Sequence, residues 1–184
     1  MSDTVPPHPD PDIRSLIQAC SDHMRSPNPK AVKSAFLRGE DDGSGQPTPA
    51  QMQDVYDTAC RLCDADNFRF AAPLALHLVT YMPNDPRFSF LAGTCLQRLG
   101  IYANAAQMFC YTLVNCGEDA ATLYRLGECL LALDDPKNAA NALELAFDLS
   151  RDSRDAGELQ SMSEQLINLV KNGAARPTMQ EQQP

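Results

Sequence analysis

The 184-residue chain has no tryptophan, only three histidines, and 15 basic against 24 acidic side chains, for a formal charge of −9. Its pI is near 4.7. Each scarcity excludes something. A chain this acidic is repelled by phosphate backbones and anionic lipid, so no nucleic acid and no membrane surface is expected as a partner. No apolar run approaches the roughly 20 residues that cross a bilayer, which argues against stable membrane insertion. His8, His23 and His77 are scattered, and no Gly-rich phosphate loop, nucleophile elbow or paired metal motif accompanies them. Neither an enzyme nor a cofactor is therefore expected. The first residues carry Pro6, Pro7, Pro9 and Pro11 instead of a basic-then-apolar secretory signal, which places the protein in the cytosol.

Cysteine is not scarce: seven are present, at 20, 60, 63, 95, 110, 116 and 129. In a reducing compartment an odd number of thiols reads as small buried hydrophobes rather than a disulfide framework. Cys60-Arg61-Leu62-Cys63 has zinc-knuckle spacing, but it lies within a helical pattern and no second Cys or His pair completes a ligand set. No metal site is expected.

What the chain does have is a period. At an offset of 34 residues, Ala71, Ala105 and Ala139 superimpose without a gap, as do Leu62, Leu96 and Leu130. Ala59, Gly93 and Gly127 form another column, and Tyr56, Phe90 and Tyr124 another. This is the tetratricopeptide period, in which each unit is a helix–turn–helix stacked on the next. The small residues at 59, 93 and 127 let the second helix of each unit close on the first, and the Leu column fills the space between them. The expected fold is an all-α superhelix of three hairpins, with repeats at 52–85, 86–119 and 120–153. A helix over about 155–171, with Leu159, Met162, Leu166, Leu169 and Val170 toward the stack, caps the end.

Punctuation supports these bounds. Thr48-Pro49-Ala50-Gln51 combines a capping box with Pro at the first helical position, and Asp85-Pro86 and Asp135-Pro136 repeat the Asp-then-Pro device. Upstream, residues 1–11 read as a disordered tail and 12–38 as a helical arm, with Ile13, Leu16, Ile17, Cys20 and Met24 on one face. Residues 39–49 read as a Gly/Pro-rich linker, and 172–184 as a second disordered tail.

A stack of hairpins bends and offers a concave face built mainly from the first helix of each unit. Its lining positions are Tyr56, Cys60 and Cys63 in unit one, Arg87, Phe90, Thr94, Gln97 and Arg98 in unit two, and Tyr124, Glu128 and Leu131 in unit three. The stripe of Tyr56, Phe90 and Tyr124 is the sharpest feature. An unburied aromatic forgoes about 1.5–3 kcal/mol, so three in a row call for a partner that covers them. The competing reading folds these rings into the inter-repeat core. With few cations on this face, a clamp for acidic tails is not expected, and an apolar segment is the better ligand.

The stretch from Asn84 to Cys95, followed by Leu99-Gly100-Ile101-Tyr102, and the segment Leu126-Gly127-Glu128-Cys129-Leu130-Leu131 resemble class II chaperones of bacterial type III secretion, the SycD/LcrH type. The likeness covers roughly residues 50 to 150. It implies a bacterial cytoplasmic protein that binds hydrophobic, pore-forming translocators through a short apolar segment near their N-terminus. Such binding keeps the translocators soluble and secretion-competent. The resemblance also implies a homodimer through the N-terminal arm. A tetratricopeptide adaptor, or an effector chaperone or regulator with another partner, would share the fold.

Overall fold

The computed structural model describes residues 47–151 and 157–172. The expected N-terminal tail, the arm at 12–38, nearly all of the linker and the C-terminal tail lie outside the described residues. Seven helices occupy the rest: α1 Pro49–Asp64, α2 Phe68–Tyr81, α3 Pro86–Arg98, α4 Tyr102–Cys116, α5 Ala120–Ala132, α6 Pro136–Ser150 and α7 Gly157–Lys171.

The caps explain where the helices begin. Thr48 and Gln51 exchange side-chain and backbone hydrogen bonds in a complete capping box ahead of α1. Asp85, Asp119 and Asp135 each accept a backbone N–H at the start of α3, α5 and α6. These bonds satisfy donors that a helix leaves orphaned at its N-terminus.

The first helix of each hairpin also ends alike. Asn67 N–H donates to the Leu62 carbonyl at 2.8 Å, Ile101 to Leu96 at 2.9 Å and Asp135 to Leu130 at 2.9 Å. One residue earlier, Asp66, Gly100 and Asp134 donate to the carbonyls of Cys63, Gln97 and Leu131 and adopt φ of 55°, 75° and 63°. This is the Schellman arrangement, which needs a left-handed residue. Glycine meets that need once, and aspartate, which tolerates the region better than most residues, meets it twice.

Packing follows the columns. Ala59, Ala71, Ala75, Ala105, Phe109, Ala139 and Leu143 are fully buried. An added Cβ on Gly93 would lie 2.7 Å from Phe109 Cε1, and one on Gly127 would lie 2.7 Å from Leu143 Cγ. Each helix packs on its sequence neighbours, and α1 also touches α3, α3 touches α5 and α5 touches α7. No comparable contact joins α2 to α4 or α4 to α6 among the described residues. The first helices are therefore crowded into one row and the second helices splayed, which curves the stack with α1, α3 and α5 on the inside.

Helix α7 caps the stack in a register different from the expected one. Ser163 and Ile167 are buried, with Leu159 and Leu166 half-buried beside them. Met162 and Leu169 are instead exposed, at 37% and 40%. The stripe that turns inward is 159–163–166–167, a spacing that accepts the small Ser163 where α7 lies close to its neighbours. An ion pair from Lys171 Nζ to Glu144 Oε1, at 3.2 Å, ties the end of α7 to α6.

The close approach at the glycines gives a test. Replacing a helical Gly by Ala gains up to about 1 kcal/mol of helix propensity, but overpacking a filled core costs about 1–3 kcal/mol. Gly127→Ala pushes on the branch carbon of a fully buried leucine, whereas Gly93→Ala meets the edge of a phenyl ring that can tilt. Both are expected to lower stability, Gly127→Ala more, by about 1–2 kcal/mol net in chemical denaturation. Stabilisation by either would mean that the hairpins are not at contact distance.

Candidate functional site

The inner face brings the residues of α1 and α3 together largely as the period requires. Tyr56, Cys60 and Cys63 lie half-buried along α1, and Phe90 and Thr94 half-buried along α3. The Tyr56 ring sits 5.5 Å from that of Phe88, and Phe90 meets the buried Phe109 edge-on at 5.8 Å. Burial, followed by a hydrogen bond with Cys60, raises the Tyr56 hydroxyl above its ordinary pKa. Both rings thus root in the core on one side and stay partly exposed on the other.

The third ring does not follow them. Tyr124 is only 6% exposed and belongs to the main core cluster. Burial and the adjacent Glu128 carboxylate, to which its hydroxyl hydrogen-bonds, push its pKa up to about 12. The expectation of three open aromatics is corrected to two. The cause is local: the residue four positions on is Cys60 after Tyr56, Thr94 after Phe90 and Glu128 after Tyr124. Glu128 gives the Tyr124 hydroxyl a carboxylate partner within the same helix, which lets this phenol be buried with its hydrogen bond kept.

Glu128 is the hub of a polar cluster across α3 and α5. Its Oε2 accepts from Gln97 Nε2 at 3.0 Å and from Arg125 Nη1 at 3.2 Å. Gln97, expected to line the groove, is 5% exposed and lies beneath its floor. Leu131, half-buried, packs against the same core from the end of α5. Arg125 was not among the candidates; its place one residue after Tyr124 and three before Glu128 is the signal that would have found it.

The two candidate cations are engaged. Arg87 donates to Asp85 through Nε at 3.1 Å and Nη2 at 2.7 Å, and its guanidinium lies 5.6 Å from the Tyr56 ring centroid. Their hydrogen bond holds the Asp85 carboxyl below its ordinary pKa and raises that of Arg87. Arg98 reaches back to Asp66 at 3.2 Å and covers the Phe68 ring at 4.6 Å, joining repeat two to the turn of repeat one. Cys63 and Cys95 bring their sulfurs to 3.4 Å. Among the described residues no group of three or more His, Cys, Asp or Glu is arranged to hold a metal ion. A depression of about 640 Å³ opens at the α2–α3 junction, lined by residues 81–87, and shares only Arg87 with the groove.

No protein-family model matches the chain, and no curated protein does. Solved structures do. The type III secretion translocator chaperone SycD of Yersinia enterocolitica is 21% identical, with a TM-score of 0.67 over 71% of this chain and 90% of SycD. SycD in complex with a peptide of the translocator YopD is 21% identical, with a TM-score of 0.65 over 73% of this chain and 99% of that one. PcrH of Pseudomonas aeruginosa, bound to the chaperone binding region of PopD, is 20% identical, with a TM-score of 0.64 over 76% and 99%. The fold is thus the all-α repeat fold of the SycD and PcrH chaperones.

The buried phenol makes stability depend on alkaline pH. A tyrosine whose folded pKa is raised from 10 to about 12 favours the folded state while it keeps its proton, and that advantage is lost as pH climbs through this window. In urea unfolding, Tyr124→Phe is expected to remove about 2 kcal/mol of the stability lost by pH 12, since one pKa unit corresponds to about 1.4 kcal/mol. Tyr56 and the thiols of Cys63 and Cys95, whose pKa burial also raises, leave a residual fall that begins at lower pH. An unchanged alkaline profile in this variant would mean that Tyr124 is not the responsible group.

Proposed function

We propose that the chain is a holding chaperone for hydrophobic, pore-forming translocator proteins of a type III secretion system, acting in the bacterial cytoplasm. The observation that carries this reading is the half-buried apolar row on the inner helices. Tyr56, Cys60 and Cys63 continue into Phe90 and Thr94 and end at Leu131, with no unpaired charge among these residues. Support also comes from the fold, because SycD and PcrH have been solved with peptides of YopD and PopD. No helix among the described residues is long and apolar enough to cross a membrane, which suits a protein that holds a membrane-seeking cargo rather than joining it.

In this reading Tyr56 and Phe90 are the apolar walls. Cys60, Cys63, Thr94 and Leu131 shape side-chain pockets, Gln97 and Tyr124 support the floor, and Arg87, Arg98, Arg125 and Glu128 form the rim. The ligand is a short apolar segment near the N-terminus of the cargo. Binding it withdraws the cargo from its self-associating pool by mass action, without a cofactor or a catalysed step. The three repeats at 52–85, 86–119 and 120–153 form the binding unit, and the arm at 12–38 is assigned to a homodimer contact.

The test pairs a peptide titration with co-expression. Losing one ring face forfeits about 1.5–3 kcal/mol of burial, so Tyr56→Ala and Phe90→Ala are each expected to weaken binding of an apolar translocator segment about tenfold or more. Helical circular dichroism should be retained, and less cargo should be recovered in the soluble fraction. Full cargo recovery with the double variant would count against the groove as the binding site.

A further inference from the structure

Three thiols crowd one wall of the groove. Cys60 and Cys63 lie on α1 and pack with the fully buried Cys95 of α3 in one cluster. Cys63 Sγ stands 3.4 Å from Cys95 Sγ, across 32 residues of sequence and between the first helices of two successive repeats. Both cysteines are free thiols, Cys63 half-buried and Cys95 fully buried. The sulfurs need to approach by only about 1.4 Å to reach the ~2.05 Å of a disulfide.

We propose that Cys63 and Cys95 form a peroxide-responsive cross-link that staples α1 to α3 along the groove wall. The chemistry balances as two steps. The Cys63 thiolate attacks hydrogen peroxide, breaking the O–O bond to give a sulfenic acid and hydroxide. The Cys95 sulfur then attacks the Cys63 sulfur, forming the S–S bond and releasing water. Two thiols lose two electrons and two protons in total, and one peroxide is reduced to two waters. Burial raises the pKa of both thiols, which keeps the thiolate scarce and makes the pair slow to react at low peroxide. In a reducing compartment the thiol pool returns such pairs to the reduced state, so the cross-link accumulates only under sustained oxidation. This inference concerns the chain's own chemistry and does not require the proposed cargo.

The sequence makes the product easy to read. The full chain is treated with hydrogen peroxide under native conditions, blocked with an alkylating agent and digested with trypsin. Cleavage follows Arg61, Arg69, Arg87 and Arg98, so the cross-link is read as residues 62–69 joined to 88–98, while Cys60 stays in the peptide ending at Arg61. The linked pair is expected in wild type and in Cys60→Ser, and is expected to vanish in Cys63→Ser and on adding a reductant. Closing a loop of this length should raise the melting temperature of the oxidised protein by roughly 10 °C. Over-oxidation of Cys63 to a sulfinic acid without a link, a link through Cys60, or a link formed only in urea would overturn the proposal. So would a native link that lowers the melting temperature, because the stack would then have to distort to make it.

Discussion

The distance between the two helices of each hairpin governs the rest of the molecule. At Gly93 and Gly127 the first helix comes so close to the second that Phe109 and Leu143 occupy the space where a methyl would stand. In the same columns Ala59 and Ala75, the small counterpart of Phe109 and Leu143, are both fully buried in one cluster. Large against nothing in two hairpins and small against small in the first are two solutions to one spacing. Because that spacing is kept, the first helices are driven into one row, and the row curves. The groove is a consequence of this geometry rather than an addition to it. Phe109 links the two directly, since the ring held against Gly93 is also the one that Phe90 meets edge-on.

Within that frame, which side chains face the groove is decided by hydrogen bonding as much as by position. The period places Tyr56, Phe90 and Tyr124 equivalently, yet Tyr124 is buried. A phenol enters a core only when its hydroxyl finds a partner, and Glu128 supplies one from the next turn of the same helix. Glu128 is in turn held by Gln97 and Arg125, so one carboxylate closes the third repeat's inner face with a polar cluster. In the first two repeats the equivalent rings, Tyr56 and Phe90, stay half-buried. The groove is therefore lopsided, aromatic toward the N-terminal hairpins and polar beneath Leu131.

Much of this was legible in the sequence. The 34-residue columns gave the hairpins, and Thr48 and the Asp-Pro pairs gave helix starts that the structure places at Pro49, Pro86 and Pro136. The left-handed turn column was hidden because it reads Asp66, Gly100 and Asp134. Aspartate there does not announce itself as glycine would. The register of α7 was hidden because Ser163, a polar residue, takes an inward position that an apolar pattern assigns elsewhere. The Cys63–Cys95 contact was hidden too. It depends on how two helices of different repeats lie against each other, and no spacing within one repeat encodes that. The burial of Tyr124 is not carried by its column, because it depends on Glu128, one turn further along the same helix.

In the proposed function, the pairing of the charged side chains bears on what kind of guest this face would suit. Arg87 is held by Asp85, Arg98 by Asp66 and Arg125 by Glu128, each within 3.2 Å. A groove that captures an acidic segment needs cations whose best partner is the ligand, because a guanidinium already bonded to a carboxylate gains little from a second one and loses its geometry in reaching for it. Here each rim arginine has its carboxylate within the protein, on a neighbouring residue or a neighbouring repeat. The net charge of −9 adds a field that disfavours acidic guests further. What the proposed function leaves for recognition is the uncharged strip between the pairs, the faces of Tyr56 and Phe90 and the pockets beside them. There, affinity would come from apolar area removed from water, and selectivity from which side chains fit against two rings held in place from below.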